Sequence, residues 1–435
     1  MNMKRTNRIA LAWILLACAI SIVWGFSIGQ EKIRWVDFKG VYYGTRCLLQ
    51  HHNPYMRSQL QEVYWTEGGE RPEYPEKYNQ AVTLYVNVPT TFIFVAPFAV
   101  LPWEAAHLLW LMVTAGFFIL AALLTWNLGA RYAPQVSLLL LCLLLANCEM
   151  IFDGGNTAGI AVSLCVVAVW CFLRDRFVLA GVLCLAASLA IKPHDAGLVW
   201  LYFLLAGGAY RKRALQTLLV TGILGLSAFL WVSHVAPHWI EDWQSNISAI
   251  SVHGGINEPS LDAITGRTPG MIIDLQAAIS VFQNNPRIYN AVSYLICGVL
   301  LLAWSIYTLR TRFSQRRAWM ALAAIVPLTM LVTYHRPWDA KLLLLTIPAC
   351  AMLWAEGRPI RWIALLVSTA GIVLTADIPL TILLLLTKNM QISTVGLGGQ
   401  IRTLLLMEPT PLILLAMAIF YLWVYVRRDP ERGLP

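Results

Sequence analysis

Apolar runs close to twenty residues long recur along almost the whole chain, and this repetition limits what it can fold into. They lie at roughly 9–28, 105–127, 136–152, 157–173, 177–191, 196–210, 214–235, 288–309, 318–334, 341–355, 361–377 and 410–426. About 20 helical residues cross a hydrocarbon core of about 30 Å. The 435 residues are 58% hydrophobic and only 13% charged, too little charge for a soluble protein of this length. The expected class is therefore an all-α polytopic membrane protein, one membrane domain spanning 1–435 with about twelve transmembrane helices. A further apolar run, 84–101, is shorter and carries Pro89 and Pro97.

The basic residues set the orientation. The net charge of +9 sits in short clusters between the runs, which is a topology signal and gives no reason to expect a nucleic-acid partner. The clusters are Lys4/Arg5/Arg8, Arg131, Arg174/Arg176, Arg211-Lys212-Arg213, Arg310/Arg312/Arg316/Arg317, Arg358/Arg361 and Arg427/Arg428/Arg432. All fall on the cytoplasmic side only if 84–101 does not cross, which makes that segment a re-entrant or surface-lying helix. Both termini are then cytoplasmic. The N-terminal run, preceded by Lys4, Arg5 and Arg8, reads as a retained signal-anchor helix. Eight of the nine cysteines lie inside apolar runs and Cys47 in a loop, so no disulfide framework is expected.

The same topology sends the unusual polar chemistry to one face. The extracytoplasmic segments are 29–104, 236–287, 378–409 and the turns Asp153-Gly154-Gly155-Asn156, Lys192-Pro193-His194-Asp195 and His335-Arg336-Pro337-Trp338-Asp339. Asp37 stands just past the first run, where a carboxylate is costly unless solvated, paired or used. It is either a general base or the N-cap of a surface helix starting near Phe38. Lys192 is either an anion-binding cation at headgroup level or a helix C-terminal charge facing the dipole. Arg336 offers a fork of donors suited to phosphate, with His335 beside it; the alternative is an interfacial anchor with an Arg–Asp pair. The glycines of Asp153-Gly154-Gly155-Asn156 permit a tight turn, and a plain turn is the reading preferred for them.

Other chemistries find no motif. His51-His52 is not completed by any local ligand spacing, so no metal site is expected. There is no P-loop, dinucleotide fingerprint or nucleophile elbow. His234, His238, His253 and Arg267 fall in or beside the 236–287 loop, and nothing in their spacing demands a cleft.

The order of several short motifs resembles the membrane glycosyltransferases of the GT-C fold, most closely glycosyltransferase family 87, the polyprenyl-phosphate-mannose-dependent mannosyltransferase-like proteins. They are Asp37-Phe38, Tyr42-Tyr43, Asn53-Pro54-Tyr55, Ala96-Pro97-Phe98, Leu101-Pro102, Gly155-Asn156 and Ala190-Ile191-Lys192-Pro193, with Pro337-Trp338-Asp339 as a later anchor. The resemblance covers most of the first 210 residues and implies a family-type module there, with first extracytoplasmic loop 29–104, followed by variable helices over 211–435. Asp153-Gly154-Gly155-Asn156 stands where many relatives carry Gly-Gln before Asn, and His194-Asp195 is a departure that points to acceptor specificity.

The resemblance implies an inverting transferase. The donor is a polyprenyl-phosphate-linked sugar, mannose or similar, and the acceptor is a lipid or glycan at the extracytoplasmic face. Asp37 deprotonates the acceptor hydroxyl, while Lys192, Arg336 and His335 hold the donor phosphate. His194, Asp195, Asn156 and Tyr42 border the acceptor or cleft. The scheme requires no cofactor and no metal. The implied setting is a bacterial inner (plasma) membrane. Two other readings stand beside it, a flippase or transporter of lipid-linked sugars and another polyprenyl-linked glycan ligase. A transporter calls for charges buried mid-span and internal pseudo-symmetry, whereas here the charges cluster at span ends.

Overall fold

A computed structural model describes residues 3–28, 34–69, 82, 84–252, 255, 257–260, 270–387 and 396–427. His253, Arg267, Arg428 and Arg432 lie outside the described residues. Among the described residues every regular element is helical. α1 (Met3–Ile28) precedes three shorter helices, α2 (Val36–Leu49), α3 (Arg57–Thr66) and α4 (Thr90–Ala99). Next come α5 (Trp103–Gly129), α6 (Pro134–Leu145), α7 (Glu149–Asp153), α8 (Ala158–Arg174), α9 (Val178–Ile191), α10 (Pro193–Leu205) and α11 (Gly208–Val235). α12 (Trp239–Ser251) and α13 (Leu275–Ser280) lead to α14 (Pro286–Arg310) and α15 (Gln315–Val332). A 3₁₀ helix, Asp339–Thr346, runs into α16 (Ile347–Ala355), followed by α17 (Ile360–Leu374), α18 (Asp377–Thr387), α19 (Gly396–Met407) and α20 (Pro409–Val426).

Five helices are long and apolar enough to cross a membrane: Thr6–Ser27 within α1, and α5, α11, α14 and α20. The other apolar runs also fold as helices, but several are interrupted. The run 136–152 divides into α6 and α7 at Asn147 and Cys148. There the Asn147 carbonyl turns to accept from Lys341 Nζ at 2.7 Å. The run 341–355 begins as a 3₁₀ helix, and Pro348 opens the α-helical part. Pro348 lies in the first turn of α16, where the N–H that proline lacks would have no intrahelical partner. α4 has ten residues, a length of about 15 Å and half a hydrocarbon core.

Helix faces sort by environment. Leu215, Leu219, Ile223, Leu226 and Leu230 of α11 are all exposed, an apolar face suited to lipid. α15 is buried all round from Ala318 to Leu331, which places it inside the bundle. Two cores result. An aliphatic core runs through α1, α5, α6, α8, α15, α16 and α20. An aromatic one gathers α2, α3, α4 and the start of α5 over α8, α11 and α12.

Several residues of the basic clusters are paired locally. Arg174 donates to the Asn127 side chain at 2.9 Å, Arg213 pairs with Asp175 and donates to the Phe172 carbonyl at 2.9 Å, and Arg316 pairs with Glu356 at 2.8 Å. The segments around Asp153, Lys192 and His335 come together elsewhere in the bundle.

Candidate active site

α2 is docked through its first turn. The Asp37 and Phe38 amides both donate to the Gly154 carbonyl at 3.1 Å, and the Trp35 amide donates to the Asp153 carbonyl at 2.6 Å. These bonds satisfy N–H groups that a helix start leaves without an intrahelical partner. Trp35, at φ 62°, is the N-cap and its side chain makes no capping bond. Asp37 is thus not the cap. Its carboxylate Oδ2 accepts from Asn156 Nδ2 at 2.8 Å. Asn156 is itself fixed, because its Oδ1 accepts from the Ala158 amide at 2.8 Å.

The Asp153-Gly154-Gly155-Asn156 segment also clamps α2 in place. Gly155 has φ +66°, and a Cβ there would stand 2.7 Å from the Phe38 Cβ. Its carbonyl accepts from Trp110 Nε1 at 2.9 Å. Glycine is required because helix α2 presses on the turn while the backbone is left-handed. Asp153, beside it, pairs with Arg34 at 3.3 Å.

Lys192 reaches the site through a chain break. It is both the end of α9 and the residue before Pro193, with φ −141° and ψ 85°. A residue before proline is pushed out of the helical region, so the chain turns there and α10 starts with Pro193 at its first turn. Lys192 Nζ pairs with Asp339, whose other oxygen accepts from the Arg336 amide at 2.9 Å. The local Arg–Asp side-chain pair is corrected accordingly: Asp339 takes Lys192. The Arg336 guanidinium instead donates to the Tyr334 hydroxyl and, at 3.1 Å, to Asn257 Oδ1. It also lies over the Tyr334 and Trp338 rings, at 5.5 and 5.3 Å.

His194, Asp195 and His335 form the floor. Asp195 and His335 are fully buried and His194 is half-buried. His335 Nε2 and His194 Nε2 lie 3.5 and 3.7 Å from Asp195 Oδ1, and the two rings meet edge-on with centroids 4.9 Å apart.

The electrostatics tie these parts into one site. Burial pushes the Asp37 carboxyl above its ordinary value of 3.8, and the Asn156 hydrogen bond and the Arg336 and Lys192 charges pull it part of the way back. Burial opposes the Lys192 cation, but the Asp339 and Asp195 carboxylates overcome it and hold the pKa above the ordinary lysine value. Burial pushes His194 down to about 4, so its ring is neutral at neutral pH. Burial also opposes charge on His335, and the Asp195 and Asp339 carboxylates more than offset it.

Asp37, Asn156, Lys192, His194, Asp195, His335 and Arg336 are therefore brought together from distant parts of the chain. Tyr42 is not. Its hydroxyl donates to the Leu101 carbonyl at 2.7 Å, and its ring packs between Phe38, Tyr43 and Trp103. Asp339 is the residue that the sequence reading left out of the site. Its only sequence signal was its place at the end of the Tyr334–Asp339 stretch, where Arg336 three residues earlier looked like its partner.

The candidate site is a half-buried carboxylate within electrostatic reach of a lysine and an arginine in a bundle of apolar helices. The chain belongs to glycosyltransferase family 87, whose family model matches residues 85–333. The matched span holds Asn156, Lys192, His194 and Asp195, while Asp37 precedes it and His335, Arg336 and Asp339 follow it. Comparison with curated proteins and with solved structures finds no match in either. The family and the apolar helices make the protein a membrane glycosyltransferase.

Proposed function

We propose that the chain is an inverting glycosyltransferase of the GT-C fold that takes its sugar from a polyprenyl-phosphate donor and passes it to a lipid or glycan hydroxyl at the extracytoplasmic face. The observation that carries this reading is the convergence of Asp37 with Lys192 and Arg336, one carboxylate within electrostatic reach of two cations from distant segments. Asp37 takes the acceptor proton. The acceptor oxygen forms the new bond at the anomeric carbon as the carbon–oxygen bond to phosphate breaks. The bonding pair leaves with the phosphate, where Lys192 and Arg336 neutralise the growing charge. A base held in place by one hydrogen bond from Asn156, with a pKa lifted by burial, accepts a proton more readily than a solvated aspartate. No nucleotide-sugar motif is needed, because a lipid carries the sugar to the membrane surface.

In this reading about twelve helices cross a bacterial inner membrane, both termini are cytoplasmic, and the 29–104 segment lies outside with α4 at the surface. Residues 1–210 form the module that carries the base and Lys192. Mannose is the expected sugar. The test is incubation of the purified protein with polyprenyl-phosphate-mannose and a panel of lipid and glycan acceptors, with products read by mass spectrometry. A new glycosidic product that requires the lipid donor supports the reading. Transfer from a nucleotide sugar alone, or translocation with no new bond, overturns it.

A further inference from the structure

We propose that His194, Asp195 and His335 form a binding site for one divalent metal cation with affinity for nitrogen, Zn²⁺ or Mn²⁺ in class. Their ligand atoms all lie within 4.8 Å of one another. His194 Nε2, both carboxylate oxygens of Asp195 and His335 Nε2 are buried and have no hydrogen-bond partner. Polar atoms buried together without hydrogen bonds are costly unless something fills the space between them.

The orientation of His335 is specific. Its Nδ1 lies 2.7 Å from the Thr333 carbonyl oxygen, which only accepts, so Nδ1 carries a proton. In the neutral ring the lone pair is then on Nε2 and faces Asp195. A backbone carbonyl holding the far nitrogen of a histidine is the usual outer support of a metal ligand. Two bonds of about 2.0–2.1 Å at a tetrahedral angle put ligand atoms about 3.3–3.4 Å apart. His335 Nε2 and His194 Nε2 stand at 3.5 and 3.7 Å from Asp195 Oδ1, close to that separation and outside hydrogen-bond geometry. A proton on His335 would serve one of these contacts and leave His194 and the second carboxylate oxygen unserved; a divalent cation serves all three residues. Such a donor set, two imidazoles and one carboxylate, suits zinc and its neighbours better than magnesium. Two histidines and a carboxylate also leave a coordination position open to another ligand.

Charge balance points the same way, and this part rests on the proposed function. Asp37, Asp195 and Asp339 already set three carboxylates around Lys192 and Arg336, and a donor phosphate would add more negative charge to the site. A cation on Asp195 offsets that charge and offers its open position to a phosphate oxygen. The sequence hides this site because its ligands come from two turns far apart in the chain, and only His194-Asp195 are neighbours.

The test uses the full-length protein in detergent, stripped with chelator, dialysed against Zn²⁺ and assayed for bound metal by mass spectrometry, with no donor present. The expected result is one cation per chain, with affinity falling more than about a hundredfold in His335→Ala and Asp195→Ala, beyond the loss typical of an outer-shell change. His194→Ala, at a half-buried position, guards against loss of fold, and Co²⁺ loaded into wild type should show the visible bands of a nitrogen-ligated ion. The exposed pair His51 and His52 is the control. Binding that disappears with His51→Ala/His52→Ala but survives His335→Ala overturns the proposal, as does the absence of stoichiometric binding. The two readings fail separately. Metal bound without transfer overturns only the function; transfer by chelator-stripped enzyme with no bound metal overturns only the metal's part in it.

Discussion

Beneath α2 the packing is aromatic, and behind it the packing is aliphatic. Phe38 stacks on Trp110 and Trp103, with centroids 4.7 and 5.7 Å away, and Tyr55, Tyr85 and Phe92 continue the layer toward Trp239. In α15 the buried positions run from Ala318 to Leu331 and are mostly small or aliphatic, Ala318, Ala321, Leu322, Ala323, Ala324, Ile325 and Val326 among them, with Trp319 the one aromatic. Rings prefer offset or edge-on geometry and carry polar handles, so they fix direction as well as distance. Tyr42 uses its hydroxyl on Leu101 and Trp110 its indole N–H on Gly155. In lipid, where apolar surface gives no net drive between helices, small residues instead let backbones approach closely. The site lies where the two regimes meet: the aromatic layer orients Asp37, and the bundle supplies Lys192, Asp195, His335 and Asp339.

If that division of labour holds, the largest effect belongs to Asp37→Asn. Turnover should fall by about 10²–10⁴-fold, the contribution of a positioned general base, with thermal unfolding and donor binding unchanged. Near-normal turnover would remove Asp37 from its role and leave the aromatic layer with nothing to orient.

Lys192→Met tests the bundle side. It strands the buried Asp339 carboxylate, and breaking a buried pair costs about 3–5 kcal/mol. Denaturation in detergent should show that loss, and Asp339→Asn added to Lys192→Met should recover much of it. A single variant as stable as wild type would mean the pair is solvated.

Asn156→Ala probes the contact between the two regions and acts through pH. Loss of a hydrogen bond to a charged group is worth about 1.5–3 kcal/mol. Asp37 already has a raised pKa, so its base form, and with it activity, is lost on acidification at higher pH than for an ordinary aspartate. Removing the Asn156 bond, which favours the carboxylate, should move that acid limb to still higher pH. A pH–rate profile checks the shift; an unmoved limb would show that Asn156 only shapes the turn.

Tyr42→Phe should have the smallest effect. Its hydroxyl bond to Leu101 is worth about 0.5–1.5 kcal/mol of stability, and turnover should be unchanged at a pH where the protein is folded. A large loss of turnover would extend the site along α2.

The helices were the most legible part. Apolar runs mark them because hydrocarbon offers backbone groups no water, and Pro134, Pro193, Pro286 and Pro409 mark starts. The breaks at Asn147 and before Pro348 were less visible, since hydropathy averages over a residue whose carbonyl turns to a distant lysine. Lys341 shows this well. It looks like the charged edge of a run, yet it is buried, with the Asn147 and Thr375 carbonyls at 2.7 and 3.0 Å and Asp377 at 3.8 Å. Lys192 and Asp37 stood out in the sequence because each is a charge at the end of an apolar run. Tyr42 stood out for its place in a motif, and a motif records packing as readily as chemistry.

By itself the sequence determined that this is a helical membrane protein, which turns share a face, and which charges are too costly to be incidental. These follow from local composition, because the bilayer acts on each segment separately. Only the tertiary structure decided that Asn156 clamps Asp37, that Lys192 rather than Arg336 takes the Asp339 carboxylate, and that two histidines from separate turns close on Asp195. Those are choices among partners 119 and 147 residues apart for the hydrogen bonds. Such choices depend on which helix ends the packing brings within a few ångströms, and no local pattern of residue types records that.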